Sequence, residues 1–162
     1  MYVNTYFRNL FLKKLFILKS NTKIFIMKLK HIFTIAASLT FLQALPIYIA
    51  MVKPEFKDLL LEDAFGKKID MTKELSIMFD SFMLVVGLLY SGIAFAMIGA
   101  RSIFDLTAKK RVSFLFFVIA GFSALPDLIS AIKGEPTAPL PVILMNVAVI
   151  GLLFYGSQKA VE

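Results

Sequence analysis

Four polar side chains, two carboxylates and two amides, interrupt long apolar stretches of this sequence. Ionisable side chains inside membrane helices are costly and commonly mark ion or proton pathways, so the carboxylates are candidates for binding a proton or a cation. Each apolar stretch contributes one of the four residues, all in the outer half of the expected bundle, so together they are expected to form one polar cluster that could also hold a polar ligand head. Each residue also has a structural interpretation, as a helix cap, a hydrated last turn or a hydrogen bond between helices, which we favour. The four residues are Gln43, Asp80, Asp127 and Asn146.

Other kinds of site chemistry are excluded by residue type. The 162 residues include no cysteine, which excludes disulfides, thiol catalysis and cysteine–zinc sites. His31 is the single histidine, so the chain cannot supply a bis-histidine haem or a multi-histidine metal site. The sequence contains no glycine-rich phosphate loop, nucleophile elbow or metal-binding helix motif. We therefore expect no metal and no cofactor, and we consider an enzyme the less favoured class.

The elements that position these side chains are predicted by the spacing of charge. Four stretches are nearly free of charged residues, and each is at least as long as the roughly 20 residues that cross about 30 Å of hydrocarbon. The second contains only Asp80 and the third only Asp127. The apolar runs do not alternate with polar residues, so helices are favoured over barrel strands. The predicted spans are about 32–52, 76–100, 112–132 and 139–157.

This spacing predicts an all-α fold, an integral membrane four-helix bundle over residues 31–158. Residues 1–30 carry seven cations and no acid, with apolar residues at helical spacing among them. That pattern is typical of an amphipathic helix lying on an anionic membrane surface. Alternatively, Met27 is the natural start and residues 1–26 are an upstream extension. The cations expected at the membrane surface are Arg8, Lys13, Lys14 and Lys19.

The distribution of cations predicts an orientation. The segments expected in the cytoplasm hold 12 Lys and Arg residues, and the outside loops hold 6. The positive-inside rule then places both termini in the cytoplasm. The net charge of +7 is thereby explained by topology, and we expect no nucleic-acid partner. In the outside loop at residues 53–74, apolar residues predict a short surface helix that ends near Gly66.

Small residues predict where helices pack closely. Gly87 and Ser91 form one pair four residues apart in the second span, and Gly92 and Ala96 form another. Such pairs let two membrane helices approach each other through their backbones. Each pair is therefore a candidate packing face for a neighbouring helix.

The order of turns resembles that of a known kind of protein. A basic turn with Lys109, Lys110 and Arg111 follows the second span. The turn before the fourth span is rich in glycine and proline, with Gly134, Pro136, Pro139 and Pro141. This layout resembles small four-span bacterial membrane proteins of the DoxX-like kind, over residues 27–158 and in architecture alone. The resemblance carries over no functional residue, and we expect a bacterial inner-membrane location.

These features together favour a non-catalytic accessory or assembly subunit of a larger membrane complex. The chain is small, and it shows no soluble domain and no cofactor ligands. Its expected partners are membrane lipids and other membrane-protein subunits or a second copy of itself. Two alternatives stay open. One is a small transporter or channel that uses Asp80 and Asp127, and the other is a lipid- or quinone-directed membrane enzyme with one of these carboxylates as general base.

Overall fold

The computed structural model describes residues 27–65, 72–135 and 137–161. The predicted amphipathic segment with Arg8, Lys13, Lys14 and Lys19 lies outside these residues. The described chain is all-α, which confirms the predicted fold class. Its helices are α1 (Leu29–Val52), α2 (Pro54–Phe65), α3 (Lys73–Ala100), α4 (Leu106–Lys133) and α5 (Leu140–Lys159).

Four of the helices, α1, α3, α4 and α5, are long and apolar enough to cross a membrane. Their apolar side chains mostly face outward. In the most apolar 18-residue window of α4, 11% of the residues are buried, and the share reaches only 33% in α1. Soluble monomers rarely expose apolar surface on this scale. The surface therefore indicates a membrane protein, as the sequence predicts.

The helix ends are set by local capping. The Asp105 side chain accepts a hydrogen bond from the Ala108 N–H at 2.6 Å, and this cap starts α4 six residues before the predicted start of the third span. Lys109, Lys110 and Arg111 consequently lie in the first turns of α4. Lysine and arginine are good helix formers, so the three basic positions continue the helix. Their surroundings differ, because Arg111 is exposed whereas Lys109 is buried at 7% exposure. A run of basic residues therefore does not end the helix here.

The end of α4 requires a glycine. Gly134 has a φ of 69°, in the left-handed region that side chains other than glycine rarely adopt. The following Glu135 N–H donates to the Ser130 carbonyl oxygen at 2.9 Å, which completes a Schellman-type cap. The chain can then turn within a few residues into α5.

The spanning helices are arranged in the order α3, α1, α5, α4. α1 packs along α3 on one side and α5 on the other, whereas α4 packs mainly on α5 and has few contacts with α1 and α3. The core lies where α1 meets its neighbours. Its largest fully buried apolar side chains are Leu29, Ile32, Phe33, Met97 and Leu153.

Both ends of the described chain meet at one end of the bundle. The Leu29 N–H donates to the Val161 carbonyl oxygen at 2.9 Å, and Lys110 Nζ donates to the Gln158 carbonyl oxygen at 3.4 Å. We name this region the basic end, because Asp105 is its one acidic residue within the described chain. Its cations are Lys28, Lys30, Arg101, Lys109, Lys110, Arg111 and Lys159.

Candidate functional site

Asp80 forms an ion pair with a residue outside the spanning helices. Lys57, on α2, places its Nζ 2.5 Å from Asp80 Oδ1 and 2.9 Å from Ser76 Oγ. The same ammonium lies 5.7 Å from the centre of the Phe79 ring. α2 is therefore fastened to the first turns of α3 through one lysine side chain.

The sequence contains part of the signal for this pair. Ser76 and Asp80 are four residues apart and so share one face of α3. Thr72, not Asp80, caps α3, because the helix begins at Lys73 and Thr72 accepts from the Leu75 N–H at 3.3 Å. Nothing in the mixed-charge loop distinguishes Lys57 from its neighbouring lysines, so the partner was not predictable.

Asp127 lies near the end of α4, one residue after Pro126. Its Oδ1 accepts a hydrogen bond from the Ala138 N–H at 3.2 Å. Ala138 belongs to the connection that leads into α5. The carboxylate therefore connects the last turns of α4 to the segment that leads into α5. This contact is structural, as expected for an acid near the end of a span.

Gln43 and Asn146 come together at the centre of the bundle. They line a cavity of about 20 Å³ to which all four spanning helices contribute. Gln43 is 8% exposed, and its Nε2 has no hydrogen-bond partner among the described residues. A cavity of this size holds about one water molecule. Its other polar lining residues are Thr40, Tyr90 and Ser123.

The four sequence-predicted polar residues thus lie in three places. Gln43 and Asn146 share the central cavity, whereas Asp80 and Asp127 each bind a different connecting segment at the opposite end from the basic residues. Asn146 also lines a second space, an open groove of about 310 Å³ between α4 and α5 that Asp127 borders as well. The remainder of that groove is apolar, which suits an acyl chain or another membrane-soluble molecule.

The two predicted packing faces of α3 have different surroundings. A Cβ added at Gly87 would lie 3.2 Å from Ile47 Cγ2, and Ser91 Oγ is 2.8 Å from the Tyr48 hydroxyl oxygen. Gly87 and Ser91 therefore form the contact with α1. No atom of the described residues lies within 4 Å of such a Cβ at Gly92, which is exposed, as is Ala96. The second face points away from the described bundle.

Comparison of the chain with models of known protein families, with curated proteins and with solved structures finds no match. The resemblance to DoxX-like proteins accordingly stays a prediction from the order of spans and turns.

Proposed function

We propose that this protein is a non-catalytic subunit of a larger membrane complex and that it binds a neighbouring subunit through the outward side of α3. The observation that carries the proposal is the exposed small-residue surface of that helix. We name it the partner face and define it as Gly92, Ala96 and Gly99. At Gly99, as at Gly92, no atom within the described part of the chain lies within 4 Å of an added Cβ.

The physics of helix association in lipid supports this choice. Apolar side chains gain little by leaving lipid for another apolar surface, so helices associate by close van der Waals packing and hydrogen bonds. Gly87 and Ser91 already serve α1 in this way. The partner face offers a second surface of the same kind. The exposed side chains of Leu88 and Phe95 lie along one edge of it and would form a ridge beside an incoming helix.

The contacts of the carboxylates favour a subunit over a transporter. Transport through Asp80 and Asp127 would require the two groups to lie along one hydrated path. Asp80 instead accepts from Lys57, and Asp127 accepts from the Ala138 backbone. Both contacts support a role in fixing the connecting segments.

We further propose that the protein lies in a bacterial inner membrane with the basic end in the cytoplasm. Seven cations and one acid lie at this end of the described chain. The opposite end has four described cations, Lys53, Lys57, Lys73 and Lys133, among a larger number of acids. The positive-inside rule counts lysine and arginine near span ends, so it favours cytoplasmic termini.

Photo-cross-linking in native membranes tests the partner face directly. The natural chain has no cysteine, so a single introduced cysteine can carry a benzophenone maleimide at one defined position. Phe95→Cys, an exposed position beside the partner face, should yield a cross-linked product with a different protein, and Leu115→Cys, an exposed position on α4, should not. Equal products from both positions, none from either, or a product of twice the chain mass would contradict the proposal.

A matched pair of glycine substitutions supplies the second test. Gly92 and Gly151 are both exposed helical glycines with open space around an added Cβ, but they lie on α3 and α5. After purification in mild detergent, Gly92→Val should lose the co-purifying partner while the isolated chain stays folded. Gly151→Val should keep the partner. Retention of the partner by Gly92→Val would overturn the assignment of this face.

A further inference from the structure

The basic end contains a groove between the start of α4 and the end of α5, with a volume of about 480 Å³. Its rim is polar and basic, and its floor is apolar. The rim includes Thr107, Lys110, Arg111 and Gln158, and the floor is formed by Phe114 and Leu115. The groove lies on α4 and α5, whereas the partner face lies on α3. An inference drawn from the groove therefore does not rest on the proposed subunit contact.

The rim favours an anion. Lys110 Nζ donates one long hydrogen bond, at 3.4 Å, to the Gln158 carbonyl oxygen, which leaves the ammonium with further donors. Arg111 is exposed, and its planar guanidinium group matches two oxygens of a phosphate. The N-terminus of α4 is already capped by the Asp105 carboxylate, which accepts from the Ala108 N–H, so the attraction for an anion comes from Lys110 and Arg111.

The floor indicates that the anion is attached to an apolar chain. Phe114 and Leu115 follow Lys110 and Arg111 by four residues, so they lie one helical turn deeper along the same side of α4. Both side chains are exposed. An inorganic phosphate would use the rim alone, whereas a phospholipid would place its headgroup at the rim and an acyl chain along the floor.

We propose that this groove is a binding site for an anionic glycerophospholipid, with the phosphate held by Lys110 and Arg111 and one acyl chain on Phe114 and Leu115. Basic pockets between membrane helices at the cytoplasmic side are suited to acidic lipid headgroups. Residues 1–26 are an unsuitable occupant, because they carry five cations and no acid. The rim would repel them.

Native mass spectrometry of the full-length protein tests the site. Delipidated protein in detergent is titrated with phosphatidylglycerol, and phosphatidylcholine of the same chain length serves as the neutral comparison. The wild type should bind one phosphatidylglycerol at least tenfold more tightly than phosphatidylcholine. K110Q/R111Q should lose most of this preference. The matched control R101Q/K159Q removes the same charge from the same end outside the groove, and it should keep the preference.

The other outcomes separate the possible sources of binding. Equal loss in both double variants would show a diffuse surface-charge effect and overturn the site. Displacement of the lipid by millimolar inorganic phosphate would show a free-anion site and overturn the role of the floor. Leu115→Ser should weaken lipid binding severalfold, and phosphate should still fail to displace the lipid from this variant. Unchanged lipid binding would contradict the contact between Leu115 and the acyl chain. R111Q alone repeats the test if the double variant does not fold.

Discussion

The ion pair between Lys57 and Asp80 joins two groups in different surroundings. The lysine side chain is 12% exposed and the aspartate side chain is 47% exposed. Removing the carboxylate leaves a largely buried ammonium, whereas removing the ammonium leaves a half-exposed carboxylate about two turns from the start of α3, where water at the membrane surface can reach it. Asp80→Ala should therefore lower the free energy of unfolding by about 1–3 kcal/mol, and Lys57→Met by less than about 1 kcal/mol.

The free energy of unfolding of both variants is measured by adding sodium dodecyl sulfate to the protein in mixed micelles. The Asp80→Ala/Lys57→Met double variant is the control, and it should resemble Lys57→Met, because no buried ammonium then remains. A larger loss in Lys57→Met than in Asp80→Ala would contradict the asymmetry.

Gln43 lines the central cavity, and its Nε2 has no hydrogen-bond partner among the described residues. Gln43→Met keeps the length of the side chain and removes this donor, so the free energy of unfolding should rise by about 1 kcal/mol. Gln43→Ala enlarges the cavity and should lower the free energy of unfolding by about 2 kcal/mol or more. The same detergent titration compares the two. A similar loss in both variants would mean that the amide makes a stabilising hydrogen bond in the membrane.

The sequence indicates which polar residues lie within the spans and how deep they lie, but it does not indicate which residues they contact. Depth along a helix follows from residue number, so Gln43 and Asn146 could be expected at similar depth. The rotation of each helix and the choice of neighbours depend on packing over the whole bundle. α3 and α4 have few contacts with each other, and Asp80 and Asp127 are consequently held by Lys57 and Ala138.

Among the elements, α5 contains two glycines whose surroundings differ sharply. A Cβ at Gly156 would lie 2.7 Å from Ser113 Oγ and 3.2 Å from Leu29 Cδ2, where α5 meets α4 and α1. At Gly151, nothing in residues 27–65, 72–135 and 137–161 lies within 4 Å of such a Cβ. Gly156→Ala should therefore lower the free energy of unfolding by about 1–3 kcal/mol through overpacking. Gly151→Ala should raise it by up to about 1 kcal/mol through helix propensity.

Thermal unfolding of the two variants in one detergent measures this difference. Ser113 also donates to the Leu153 carbonyl oxygen at 2.8 Å, so displacement of its hydroxyl would weaken a buried contact between α4 and α5. Gly156→Ala/Ser113→Ala is the control, because removal of the hydroxyl oxygen relieves the closest clash. A Gly156→Ala variant as stable as the wild type would contradict the packing at this crossing.

Helix existence follows from the sequence, and some helix ends do not. Charge is kept out of the hydrocarbon by its desolvation cost, so four stretches with at most one charged residue each predict the four long helices. The predicted surface helix is present as α2 and ends at Phe65. α4 starts early because Asp105 caps it and because the basic residues that follow remain helical. The sequence prediction instead began the span after the last charged residue, Arg111, and so missed this first part of the helix.

At the scale of the whole molecule, the termini of the described chain and the basic residues share one end, and most acids lie at the other. The lipid groove therefore lies at the end that the proposed orientation places in the cytoplasm. Lysine and arginine near span ends favour the cytoplasmic side, where anionic lipids create a negative surface potential. The partner face lies along the side of the bundle and is available in either orientation.

Cysteine labelling of intact cells tests four membrane crossings most directly, because the natural chain supplies no background thiol. Single cysteines replace Ser102 and Gln158 at the basic end, and Glu62 and Thr137 at the opposite end. We predict that a membrane-impermeant maleimide labels the cysteines at 62 and 137 in intact cells, and those at 102 and 158 only after permeabilisation. The reverse pattern would overturn the orientation alone. Labelling of all four cysteines in intact cells, or recovery of the protein in the aqueous fraction without detergent, would contradict the four-span account.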